Sequence, residues 1–194
     1  MPQTPTPVIV LIGAYKRDTK SSSMEFFLRV MEQELNARSI RTHIIYPTVY
    51  FGNLKVSTPW LKKALGAIDK LFLFPCILKW RLHCLAKQFG GIIVHIVDQG
   101  YANYCMFLNN IPHLVTCHDL LALQASIGDF PERREPLCTR IYQRLMLHGL
   151  KKASLLVAVS DHTAEVVRRL TGLPPRACPN GSQWPALSLP SNRE

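Results

Sequence analysis

The feature that most constrains this chain is a set of short, nearly unbroken apolar runs separated by stretches of helical periodicity. Val8 to Ile12, Ile92 to Val97, His113 to Cys117 and Ser154 to Val159 are each of strand length and rich in β-branched residues. A strand that is apolar on both sides must be covered on both faces. That pattern belongs to a parallel sheet, not to half-exposed antiparallel hairpins. Two shorter strands are predicted at Arg41 to Tyr46, stopped by Pro47, and at Arg176 to Cys178.

Helical spacing fills the intervals. Phe27, Met31 and Leu35 predict a helix from Ser23 to about Ala37, and a short aromatic helix is read at Tyr101 to Leu108. Two basic amphipathic helices are predicted, Trp60 to about Leu73 and Ile77 to Gln88, with Pro75 marking the break between them. Leu137, Ile141, Leu145, Met146 and Leu150 predict a helix within 133–152, and another follows at Asp161 to Leu170. Strand and helix alternating in this way give an α/β domain over residues 8–181, with a mostly parallel sheet of six or more strands. Residues 1–7 read as a disordered lead-in, and 182–194 as a linker or frayed tail.

Composition narrows the class. The chain is 47% hydrophobic and 19% charged over 194 residues, enough apolar material for a core without metal or disulfide staples. Its 23 Lys and Arg against 13 Asp and Glu give a net charge of +10, which excludes an acidic disordered segment. Basicity favours polyanions: nucleic acid, an anionic membrane surface or a phosphorylated substrate. No nucleic-acid module is recognisable, which argues against the first. The six cysteines lack zinc-ribbon spacing, so no metal is expected. Several lie in apolar runs (Cys76 and Cys117 among them) and read as buried free thiols in a reducing compartment. The N-terminus has neither a positive n-region nor a long apolar stretch, and no window reaches spanning length. The expected location is cytoplasmic, extending to the inner face of a membrane.

In a doubly wound sheet the ligand crevice lies beyond the carboxyl ends of the strands. The polar residues that follow the apolar runs are Gly13, Pro47, Asp98-Gln99-Gly100, His118-Asp119, Ser160 and Asn180-Gly181. Far apart in sequence, they are expected along one edge. His118 is the best catalytic candidate, because an imidazole titrates near neutrality and can orient a hydroxyl or exchange a proton with it. The plainer reading makes His118 a strand-end residue bonded to backbone, with Asp119 capping the following helix. Ser160 at a helix start offers free N–H groups to an anion, or only a cap. The first loop lacks the glycine fingerprint of dinucleotide binding, so a nicotinamide oxidoreductase is rejected. Segment 55–88 carries Lys55, Lys62, Lys63, Lys70, Lys79, Arg81 and Lys87 against one acid, Asp69. With Trp60 and Trp80 it reads as a membrane or surface patch, or as crossover helices whose Leu61, Leu65, Ile68, Leu71 and Phe72 cover the sheet.

The elements His95 to Ala102, Val115 to Ala122 with Thr116-Cys-His-Asp119, Val159-Ser-Asp-His-Thr163 and Pro179-Asn-Gly181 together resemble the N-terminal domain of the retaining glycosyltransferases of family four. The resemblance implies half of a GT-B enzyme, a Rossmann-like three-layer domain that mainly holds the acceptor and faces a second domain holding the nucleotide-sugar. It implies His118 near the transferred sugar and Gly13 near donor phosphates, with Ser160, Asn180 and Gly181 in the last strand-end turns. The nucleotide-sugar is then a cosubstrate, no cofactor is tightly bound, and the acceptor is a glycan or lipid-linked. Only 182–194 follows Gly181, so the chain reads as the first piece of a split enzyme with its donor domain on a second polypeptide, a truncated gene product or a fragment of a longer reading frame, and alone it is expected to be inactive. A non-catalytic relic or binding module of the same fold, and a basic protein that binds anionic surfaces, stay open as alternatives.

Overall fold

Strand alternation sorts the side chains of the sheet between two faces. Along β1 (Val8–Ile12), Val8, Val10 and Ile12 join one large buried cluster, while Leu11, with Ile9 beside it, joins a smaller one. The computed structural model describes residues 7–13, 23–54, 57–108, 110–133 and 135–179. Five further strands complete the sheet: β2 (Thr42–Ile45), β3 (Ile92–Ile96), β4 (His113–Cys117), β5 (Leu155–Ala158) and β6 (Arg176–Ala177). The order is β2-β1-β3-β4-β5-β6, and every pairing is parallel. The predicted α/β class holds, as a three-layer domain.

Among the described residues, six α-helices surround the sheet: α1 (Ser23–Ala37), α2 (Pro59–Ile68), α3 (Phe74–Phe89), α4 (Leu121–Ile127), α5 (Leu137–Leu150) and α6 (Asp161–Thr171). α3 brings Phe74, Leu78, Leu82 and Leu85 to the large cluster, and α5 brings Met146 and Leu150. α1 covers the opposite face with Leu28, Phe27, Met31 and Leu35. The aromatic segment is a 3-10 helix, Gln99–Phe107, rather than a short α-helix from Tyr101. Gly149 of α5 lies against it so closely that a Cβ there would overlap the Ala102 carbonyl.

The helical pair before β3 departs from expectation. Pro75 does not break it: α2 runs into α3 through a π-helical turn, Asp69–Leu73, in which Phe74 N–H donates to the Asp69 carbonyl five residues back. The wider turn carries one extra residue, and it receives a proline that has no N–H to donate. It also shifts the helical phase. Ile68 and Phe72, which the crossover reading laid on the sheet and the surface-patch reading left outward, are exposed. Asp69 is fully buried, its Oδ2 accepting from Gly52 N–H at 2.8 Å. Cys76 is also exposed, as are Cys84, Cys138 and Cys178; only Cys105 and Cys117 are buried among the free thiols. Among the described residues, no helix is long and apolar enough to cross a membrane.

Candidate active site

The chain enters at β1, turns outward to β2 and then crosses to β3 on the other side of β1. Successive helices therefore diverge beyond the carboxyl ends of β1 and β3, the switch point at which open α/β sheets place ligands. Gly13 follows β1 at this point. It is buried, donates its N–H to the Ile45 carbonyl at 3.0 Å, and a Cβ there would stand 2.8 Å from Leu28 and 2.9 Å from the Tyr46 ring. A side chain there would displace the Leu28 and Tyr46 side chains.

After β3, the Asp98 carboxylate accepts from Gly100 N–H at 2.7 Å and so starts the 3-10 helix. Tyr142 of α5 donates to the Gly100 carbonyl at 2.6 Å, and burial raises its phenol pKa, so it stays protonated as a donor. Gln99 turns to β4: its Oε1 accepts from His118 N–H at 2.9 Å.

His118 is gripped at three points. Besides the Gln99 bond, its Nε2 lies 2.9 Å from the Val97 carbonyl, and its own carbonyl accepts from Thr163 Oγ1 at 3.3 Å. A carbonyl only accepts, so Nε2 carries the proton and Nδ1 is the nitrogen left to accept in the neutral ring. Phe27 of α1 meets the imidazole edge-on, centroids 4.9 Å apart at 88°. Asp119 does not orient this ring. It is exposed, and its Oδ1 accepts from Leu121 N–H at 3.3 Å. Both halves of the plainer reading, a backbone-bonded His and an Asp at the start of α4, are present.

Ser160 caps α6, accepting from Thr163 N–H at 3.1 Å and donating to Thr163 Oγ1 at 2.9 Å. Gly13, Asp98, Gln99, Gly100, His118, Asp119 and Ser160 thus all follow carboxyl ends of strands in one parallel sheet. Asn180 and Gly181 lie outside the described residues, as does the side chain of Lys63. Lys62 and Lys79 are exposed on α2 and α3, Arg81 is half-buried on α3, and Lys70 sits in the π turn.

Sequence reasoning missed several residues around the carboxyl ends of β1 to β4. Phe27 read as core. Tyr46 read as the end of a strand, yet it donates to Glu25 at 2.8 Å and accepts from Arg29 at 3.0 Å. Burial and the neighbouring Glu25 push its phenol up to about 12. His95 was missed too. It is buried one strand behind, bonded through Nε2 to Thr116 at 2.8 Å, and desolvation, with His118 adding to it, lowers its pKa to about 4. The one available signal was a histidine and a threonine each set within an otherwise apolar strand, two residues out of register with each other.

The model of Glycosyltransferase Family 4 matches residues 24–182. The chain belongs to that family. No curated protein matches it. Among solved structures, the fold of this family 4 domain is similar to that of UGT2 from Phytolacca americana, complexed with UDP-2fluoro-glucose and pterostilbene. The TM-score is 0.53 at 12% identity, over 91% of this chain and 53% of that one. It is likewise similar to UGT73P12 from Glycyrrhiza uralensis, complexed with glycyrrhetinic acid 3-O-monoglucuronide. There the TM-score is 0.50 at 13% identity, over 91% of this chain and 49% of that one. The likeness is one of fold, that of GT-B glycosyltransferases, and the family 4 chain spans about half the length of these neighbours.

Proposed function

We propose that this domain is the acceptor-side half of a retaining glycosyltransferase that moves a sugar from a nucleotide-sugar to a glycan or lipid-linked acceptor. The observation that carries the reading is the three-point grip on His118 at the switch-point edge. Two of these bonds fix the backbone at the strand end and the third fixes the ring, which leaves Nδ1 as the accepting nitrogen. Family membership supports sugar transfer in general.

In such a transfer a bond forms between an acceptor hydroxyl oxygen and the anomeric carbon, while the bond from that carbon to the diphosphate breaks. The nucleoside diphosphate leaves with the electron pair, and its freed oxygen takes up the hydroxyl proton. His118 Nδ1 accepts a hydrogen bond from a sugar or acceptor hydroxyl, and its fixed orientation lowers the entropic cost of alignment. The N-terminus of α6, with its first N–H groups and the Ser160 cap, offers a partial positive charge to donor phosphate.

Leaving-group stabilisation demands donors on both sides of the diphosphate, and the described residues furnish one side. We therefore assign the donor-binding wall to a second domain, whether it lies on the same polypeptide or on another. The test is a donor-consumption assay on the purified chain, alone and with a polypeptide carrying that wall. Turnover is expected only with the partner, and His118→Ala is expected to reduce it about 100-fold or more at unchanged thermal stability. Robust turnover by the chain alone overturns the need for a partner, and full activity of His118→Ala overturns the site.

A further inference from the structure

The α2–α3 surface is a second functional feature, independent of the transfer reading. Phe72, Cys76, Lys79, Trp80, His83 and Lys87 recur at helical spacing, and every one is exposed. They form a single stripe opposite Phe74, Leu78, Leu82 and Leu85, which face the core. Phe72 is 68% exposed, Trp80 65% and, at the head of α2, Trp60 69%. These are large apolar surfaces left in water, and α2 contributes no side chain to the buried core.

Charge completes the pattern. Between residues 57 and 90 the sequence holds one carboxylate, Asp69, and the fold turns it inward to Gly52. The outer surface of this segment therefore presents ammonium, imidazole, indole and phenyl groups with no side-chain anion among them. An isologous contact with a second copy would set these lysines against each other. A phosphate backbone would satisfy the lysines and leave Ile68 and Phe72 in water. A bilayer rich in anionic lipid takes both: aromatic rings enter the headgroup boundary while lysine stems lie along it with their charges outward.

We propose that the outer face of α2 and α3 is a docking surface for an anionic lipid bilayer. α2 follows β2 and so begins on the carboxyl side of the sheet, the side of the crevice. Under the transfer reading, docking there brings the rim of the site to the headgroups, where a lipid-linked acceptor would lie.

The experiment is co-sedimentation of the purified chain with vesicles of phosphatidylcholine alone and of phosphatidylcholine mixed with phosphatidylglycerol, at low and high salt. Binding is expected only to the anionic vesicles and is expected to fall as salt rises. The charge variant Lys62→Glu/Lys79→Glu and, separately, the apolar variant Phe72→Ser/Trp80→Ser are each expected to weaken it about tenfold or more. All four positions are exposed, and thermal melts verify that both variants fold. Equal binding to neutral and anionic vesicles, or anionic binding insensitive to either variant, overturns the proposal. So does tighter binding to a single-stranded oligonucleotide that the same substitutions abolish, which would assign the face to nucleic acid. None of these readouts depends on sugar transfer, so this proposal and the assignment of His118 fail separately.

Discussion

The two faces of the sheet are built to different specifications. On one, α3, α5 and the 3-10 segment close over Val10, Ile12, Val94, Ile96 and Val115 to make a broad apolar core. On the other, α1 lies over a small cluster of Leu11, Leu28 and Val97, and the buried His95–Thr116 pair sits between β3 and β4. The broad face holds the fold by burial and close approach. The narrow face spends interior volume on polar groups and leads, through Phe27, to His118. Structural and chemical demands are thus largely separated across the thickness of one sheet.

The largest expected effect strikes the broad face. Gly149→Ala drives a methyl into the Ala102 carbonyl, and backbone on both sides must move. We expect a loss of about 3 kcal/mol, read as a lowered urea midpoint. If the loss is below the uncertainty of the measurement, close packing of α5 is not what secures this face.

The narrow face is expected to yield to acid. His95 has a folded pKa of about 4 against an unfolded value of 6.5, because burial disfavours its charged form. The neutral ring's contribution is fully present above the unfolded value. It is lost as pH falls from there toward the folded one, since the unfolded chain takes up the proton first. Between pH 7 and pH 5 this histidine costs about 2 kcal/mol of stability. Denaturant titrations at the two pH values should show a smaller loss in His95→Gln, which cannot titrate and keeps a hydrogen-bonding group near Thr116. An equal loss in both proteins would place the acid sensitivity elsewhere.

The smallest effect belongs to the rim. Ser160→Ala removes the α6 cap, and a loss of about 1 kcal/mol is expected in the same titration. A larger loss would mean that the edge is itself part of the structural framework, and the contrast between the faces would need redrawing.

The sequence displayed the sheet well because four of its strands, β1, β3, β4 and β5, are apolar runs with their own boundaries. β1 and β4 fall where the residues alone put them, and Asp98, Gln99, His118 and Ser160 follow because strand ends carry the turns. The partners of His118 were not legible. Val97 and Gln99, Thr163 and Phe27 reach it from three places in the chain, and only strand order and register bring them together. The choice between sheet-covering and surface helices had a different obstacle: a count of 3.6 residues per turn cannot be carried through the π turn Asp69–Leu73 to place Phe72, and Ile68, before the turn, belongs to a helix none of whose described side chains is buried.

That same turn works as an angular setting. One residue inserted in an α-helix rotates everything beyond it by about 100°. The π turn therefore fixes the direction in which Trp60 points relative to Trp80 without altering either half's composition. Evolution could retune the pitch of this surface against the crevice by a single-codon insertion or deletion between Ile68 and Phe74, leaving every core contact of α3 in place. Orientation here is a property of residue count, inherited separately from residue identity.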